Sequence, residues 1–133
     1  MARNQPKDRS GYIRNLYKLL GEIKRSRGKK HEDRFIKAME EGTNFPSWYR
    51  GVRKATRAQD RRQIDAICDT DVGEIYIQIK SSHSGRIKFE EKHGRSGIVC
   101  VVVNETISED TIREKTLFFV KQKRSMKLFL NNK

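Results

Sequence analysis

Along the chain, apolar positions switch between a helical and an extended rhythm. Ile13, Leu16, Tyr17, Leu20 and Ile23 recur at three- and four-residue steps, the spacing of one helix face, with Ser10 placed to cap it. Lys24–Lys30 is a basic stretch containing a glycine and reads as a linker or a helix end. A second helix is expected from about Lys30 to Glu41, with Phe35, Ile36 and Met39 as its stripe and Gly42 as its stop. The rhythm then changes. Trp48–Arg53 reads as a short strand and Lys54–Arg62 as a polar loop. In Gln63–Cys68, Ile64, Ala66 and Cys68 point one way. In Glu74–Lys80, Ile75, Ile77 and Ile79 share one face and Glu74, Tyr76, Gln78 and Lys80 the other. Asp69–Gly73 is turn-forming, so these two strands form a hairpin. Ile87–His93 suits a short helix or an irregular segment. Ile98–Val103 is a continuous β-branched run, as in a strand buried on both faces. Ser108 opens a helix containing Ile112. Thr116–Val120 fits either the end of that helix or a last strand. The order is helices, three strands, a connection, a strand and a helix, which predicts a mixed α/β sandwich.

Composition sharpens this. The 133 residues suit one domain, and no apolar run approaches the roughly 20 residues of a membrane span. Met1–Arg9 is a polar basic arm without the apolar centre of a secretion signal, so an intracellular protein is expected. Cys68 and Cys100 lie in apolar runs and read as buried thiols, and the scattered His and Cys residues make no structural zinc site. Thirty Lys and Arg against 17 Asp and Glu leave a formal charge of +13, for which a polyanion is the natural partner. Nucleic acid comes before an anionic membrane.

The hairpin is where chemistry concentrates. A turn at Thr70–Gly73 sets Asp69 opposite Glu74, Asp65 opposite Gln78 and Gln63 opposite Lys80. With the isoleucines turned to the core, Asp65, Gln78 and Lys80 share the other face. A carboxylate, an amide and an ammonium so placed suit a hard cation with a positive charge beside it, or equally an amphipathic hairpin with a cross-strand ion pair. Arg50, Arg53, Lys54, Arg57, Arg61 and Arg62 precede the hairpin or lead into it, and Ser81, Ser82, His83 and Arg86 follow it. These residue types suit phosphate oxygens, which position a nucleic acid without reading its sequence. Trp48 could stack on a base, but core packing suits it better.

Asp65 followed by Gln78-Ile79-Lys80 on the next strand resembles the PD-(D/E)XK nuclease superfamily. The glutamine form and the phrase QIDAICDTDVGEIYIQIKSS look most like its Mrr-type and archaeal Holliday junction resolvase branches. Gln78 stands in place of an acid, and Ile64 where many members carry proline. The resemblance implies a restriction-endonuclease-like α-β-β-β-α-β core with an extra N-terminal helix. The expected divisions are an arm and amphipathic helix over 1–28, a nuclease core over 29–120 and a basic tail over 121–133. It implies a glutamate on the helix before the first strand. Glu32 is the favoured position, with Glu22, Glu40 and Glu41 as competitors. Glu32, Asp65, Gln78 and the Ile79 carbonyl would hold Mg²⁺, with Mn²⁺ as a substitute, and Lys80 would activate water. The implied activity is endonucleolytic hydrolysis of duplex or branched DNA, leaving a 5′-phosphate. A non-catalytic nucleic-acid-binding protein, either a decayed nuclease or a basic RNA-binding domain, is the rival reading. A homodimer is plausible for two-strand cleavage, with Ile13–Leu20 and Met126–Leu130 as interface segments. Both segments could equally cover the chain's own core.

Overall fold

The structure is a computed structural model that describes residues 6–131. Residues 1–5 of the expected basic arm and the last two of the tail lie outside that range. The elements are α1 (Pro6–Glu41), β1 (Tyr49–Lys54), α2 (Arg57–Asp60), β2 (Ala66–Thr70), β3 (Gly73–Lys80), α3 (His83–His93), β4 (Val99–Val102) and α4 (Glu109–Asn131). Two compact units result, one ending at Lys30 and the other beginning at His31.

The two expected N-terminal helices are one. Gly28 has no neighbour within 4 Å of where a Cβ would stand, and a single exposed glycine costs a helix only about 1 kcal/mol against alanine. The lysines and arginines flanking it are good helix formers and outweigh that cost. Gly42 is different. A side chain there would collide with the Arg113 guanidinium, whose Nε donates to the Ala38 carbonyl at 2.9 Å and satisfies the last turn of α1.

The second unit is a four-stranded sheet in the order β1-β2-β3-β4. The first two pairings are antiparallel, and β3 pairs with β4 in parallel through the α3 crossover. The fold is therefore α/β, a mixed sheet flanked by helices. The β2–β3 hairpin has the expected register, with Asp69 opposite Glu74 and Ala66 opposite Ile77. Its turn closes on Thr70, whose hydroxyl donates to the Gly73 carbonyl at 2.8 Å, and on Gly73 at φ +106°, which a side chain would disfavour.

One sheet face carries Ala66, Cys68, Ile75, Ile77, Ile79, Val99 and Val101. It shares a core with Phe35, Ala38 and Met39 of α1 and with Ile112 and Val120 of α4. Ile112, Thr116 and Val120 are buried at four-residue steps, which settles the ambiguous 116–120 segment as helix. The same helix absorbs the expected tail over 121–133 as far as Asn131, leaving Met126, Phe129 and Leu130 exposed. The opposite sheet face carries Gln78, Lys80 and Cys100, with buried Phe89 of α3 beside them. Ile67, on that face by alternation, is also fully buried. Both cysteines are buried free thiols, and burial pushes Cys68 up to about 12 and Cys100 to about 11. Among the described residues, no helix is long and apolar enough to cross a membrane.

Candidate acidic site and basic surface

The site forms where β2 begins. Asp65 stands one residue before β2 and is clamped on both sides. Its N–H donates to the Ile77 carbonyl at 2.8 Å, and its carbonyl accepts from the Ala55 N–H at 3.1 Å. Its side chain spans to the next residue pair along, where Oδ2 accepts from the Ile79 N–H at 2.8 Å. The hairpin thus fixes this carboxylate by backbone bonds rather than by a flexible partner.

Two further carboxylates meet it. Glu32 approaches from α1 and Asp60 from the end of α2, and one oxygen from each of the three lies within 4.8 Å of the others. The segment expected to be a polar loop supplies Asp60. Thr56 and Gln59 form a reciprocal capping box: Thr56 Oγ1 accepts from the Gln59 N–H at 3.2 Å, and Gln59 Oε1 accepts from the Thr56 N–H at 2.9 Å. The chain then reverses through Gln63, held at φ +68°, a left-handed conformation that non-glycine residues seldom adopt. That reversal returns Asp65 to the carboxylate of Asp60. Thr-x-x-Gln is a readable cap signal, and it was the available sign that Asp60 sits on a fixed turn.

Electrostatics record the crowding. Burial, then the neighbouring Glu32 and Asp60, push the Asp65 carboxyl up to about 6, against the opposing effect of the Ile79 N–H. Glu32 is raised as well, by burial and by Asp60, with Lys54 pulling the other way. The three acids open on a cleft of about 190 Å³ that is also lined by Lys54, Thr56 and Arg57. Three convergent oxygen donors of this kind fit a hard divalent cation, which would relieve the mutual repulsion.

The remaining sequence-derived residues divide. Gln78 is buried, and its surroundings assign its amide nitrogen as the donor to the Gln63 carbonyl and, at 3.2 Å, to Asp65 Oδ2. It therefore turns its nitrogen to Asp65, where a metal ligand would turn its oxygen. In a strand, the N–H and C=O of one residue leave by the same edge, so the Ile79 carbonyl points toward the β2 side, beyond the last β2 pair at Ala66. Lys80 shares the face of Gln78, and its ammonium lies 5.8 Å from the centre of the Phe89 ring. Neither Gln78 nor Lys80 lines the acidic cleft. His31, next to Glu32, is buried with Nε2 3.6 Å from Glu105.

Among the basic and polar residues, Arg50, Arg57, Arg61, Arg62 and His83 are exposed. Arg53 is bound to Asp69 and Glu74, and Lys54 to Asp33. Arg86 pairs with Glu90 at 3.0 Å and stacks 4.6 Å from the Phe119 ring. Ser82 caps α3 by accepting from the Gly85 N–H, and the Ser81 carbonyl accepts from Asn104. The side chains of Arg53, Lys54, Arg86 and Ser82 are thus already engaged within the fold, and Ser81 is engaged through its backbone carbonyl. No protein-family model, curated protein or solved structure matches this chain.

Proposed function

We propose that this chain is a metal-dependent DNA endonuclease of the restriction-endonuclease-like kind. The observation that carries the reading is the convergence of Glu32, Asp60 and Asp65 at the start of the hairpin whose second strand bears Gln78 and Lys80. Asp60 supplies the third acid that Gln78 does not. Bound there, Mg²⁺ or Mn²⁺ would polarise a scissile phosphate and make water a stronger acid. Glu32, Asp60 and Asp65 are the residues that would hold it. Arg57 at the cleft and Arg61 and Arg62 just beyond Asp60 place the phosphate backbone. Lys80 offers positive charge from the same sheet face to the phosphate as charge develops on it. The Ile79 N–H and the Gln78 amide nitrogen both donate to Asp65 Oδ2 and keep that carboxylate aimed.

The test is cleavage and gel-shift on one panel of labelled duplex, branched and single-stranded DNA, with Mg²⁺ or with EDTA. Cutting should require the metal. Asp65→Ala should lower it by roughly a hundredfold or more, while gel-shift affinity persists because the arginines carry binding. Equal cutting by parent and Asp65→Ala would remove the site from the mechanism. The rival, non-catalytic reading draws on Lys80 lying against Phe89, outside the acidic cleft. DNA shifted but left whole in both Mg²⁺ and Mn²⁺ would establish it.

A further inference from the structure

The unit that ends at Lys30 leaves an apolar helix face in water. Ile13, Leu16, Leu20 and Ile23 follow one another at steps of three, four and three, the a–d–a–d spacing of a helix seam. Tyr12 and Leu19 flank that seam on one side and Tyr17 on the other. Every one of the seven is between 42% and 71% exposed. Together they leave on the order of 800 Å² of side-chain surface uncovered, about what one partner contributes to a standard protein interface. An apolar stripe of that size on an exposed helix marks a binding surface.

The charge pattern names the partner. Arg14, Lys18 and Arg25 lie on the far side of the helix at b and f positions, with Glu22 at c. Over residues 12–26 the positions bordering the seam are Tyr12, Tyr17, Leu19 and Ser26, with Lys24 the one cation among them. A helix lying on an anionic lipid surface needs cations at that border, where long side chains can reach headgroups. Here Arg14, Lys18 and Arg25 point away from the apolar face, and Lys24 alone borders it. The same arrangement lets two identical helices meet without opposing like charges along the apolar stretch, and a repeat of this spacing is complementary to itself.

We infer that residues 12–23 of α1 form a dimerisation helix whose occupant is the same segment of a second copy of this chain. This goes beyond the nuclease reading and stands or falls independently of it. Sedimentation velocity and light scattering on the full chain at micromolar concentration should give about twice the 15.6 kDa of one chain. The double variant Leu16→Glu/Leu20→Glu should sediment as a single chain, with the Trp48 environment unchanged by near-ultraviolet circular dichroism. Lys18→Glu, on the far face, should remain paired. A parent that sediments as one chain would overturn the inference, as would a double variant that still pairs. A parent that is monomeric but floats with phosphatidylglycerol vesicles would transfer the surface to lipid. None of these readouts depends on DNA cleavage, so its failure and that of the nuclease reading can be told apart.

Discussion

At Asp65 the fold holds a carboxyl group where ionisation is unwelcome. Its pKa rises from an ordinary 3.8 to about 6, first through burial and then through Glu32 and Asp60. The folded state therefore keeps a proton that the unfolded chain has already lost. Stability must fall as pH rises from about 4 to about 6 and then level off, the reverse of a salt-bridged aspartate. Glu32, also raised, acts in the same sense. Asp65→Asn keeps an oxygen for the Ile79 N–H while removing the charge. Without metal at pH 7.5 it should be more stable than the parent by on the order of 1 kcal/mol, discounted for the partial exposure of the site. The two proteins should converge near pH 4. Urea titrations across this range, without metal and then with Mg²⁺, measure it. Mg²⁺ should raise the parent's midpoint and leave that of Asp65→Asn nearly unmoved. A parent whose stability climbs between pH 4 and 6 would contradict the assigned environment.

At the scale of elements, alternation was the strongest signal in the sequence. It placed the isoleucines of β3 on the core face and put Asp69 opposite Glu74, because a one-residue slip would have exposed every one of them. Helix limits were less legible. A glycine and a run of cations look like a break, yet α1 continues through them because one exposed glycine is a weak interruption. Segment 116–120 read two ways because Phe118 is exposed beside buried Thr116 and Val120, so apolarity alone did not show the face. At the site, the hairpin register pointed to Asp65 and the family resemblance to Glu32, while Asp60 was hidden inside a stretch whose charge masked its cap. That cap makes a prediction at this scale. Thr56→Ala removes half of the reciprocal box and should cost about 1 kcal/mol. Because α2 has a single turn, the loss falls on the position of Asp60. Divalent-cation affinity, followed by calorimetry, should weaken while circular dichroism of the sheet is retained. Thr56→Ser, which preserves the acceptor, should restore it.

Across the whole molecule, the 30 lysines and arginines behind the +13 charge are not all equally available to a phosphate. Arg53, Lys54, Arg86, Arg113 and Arg124 are each held by a carboxylate, and the Arg124 guanidinium, gripping Asp71 at 2.7 Å through two nitrogens, holds that carboxyl below its usual range. A cation already neutralised by its neighbour releases few counterions when a phosphate arrives. Arg57, Arg61 and Arg62 differ: all three are exposed, Arg57 lines the acidic cleft, and Arg61 and Arg62 follow Asp60 directly in the chain. Binding through them should show the steep salt dependence of phosphate neutralisation, about 0.9 in the log–log slope for each contact with duplex DNA. Replacing all three with alanine should therefore weaken binding and reduce that slope by about two to three. Arg53→Gln, taken from a residue that the sequence also offered as a contact, should leave the slope close to the parent's, because its charge is spent on Asp69 and Glu74. Fluorescence anisotropy with one labelled duplex over a series of salt concentrations measures both variants. An unchanged slope in the triple variant, or an equal drop in Arg53→Gln, would move the nucleic-acid footprint away from the acidic cleft and leave those three carboxylates without a phosphate to act on.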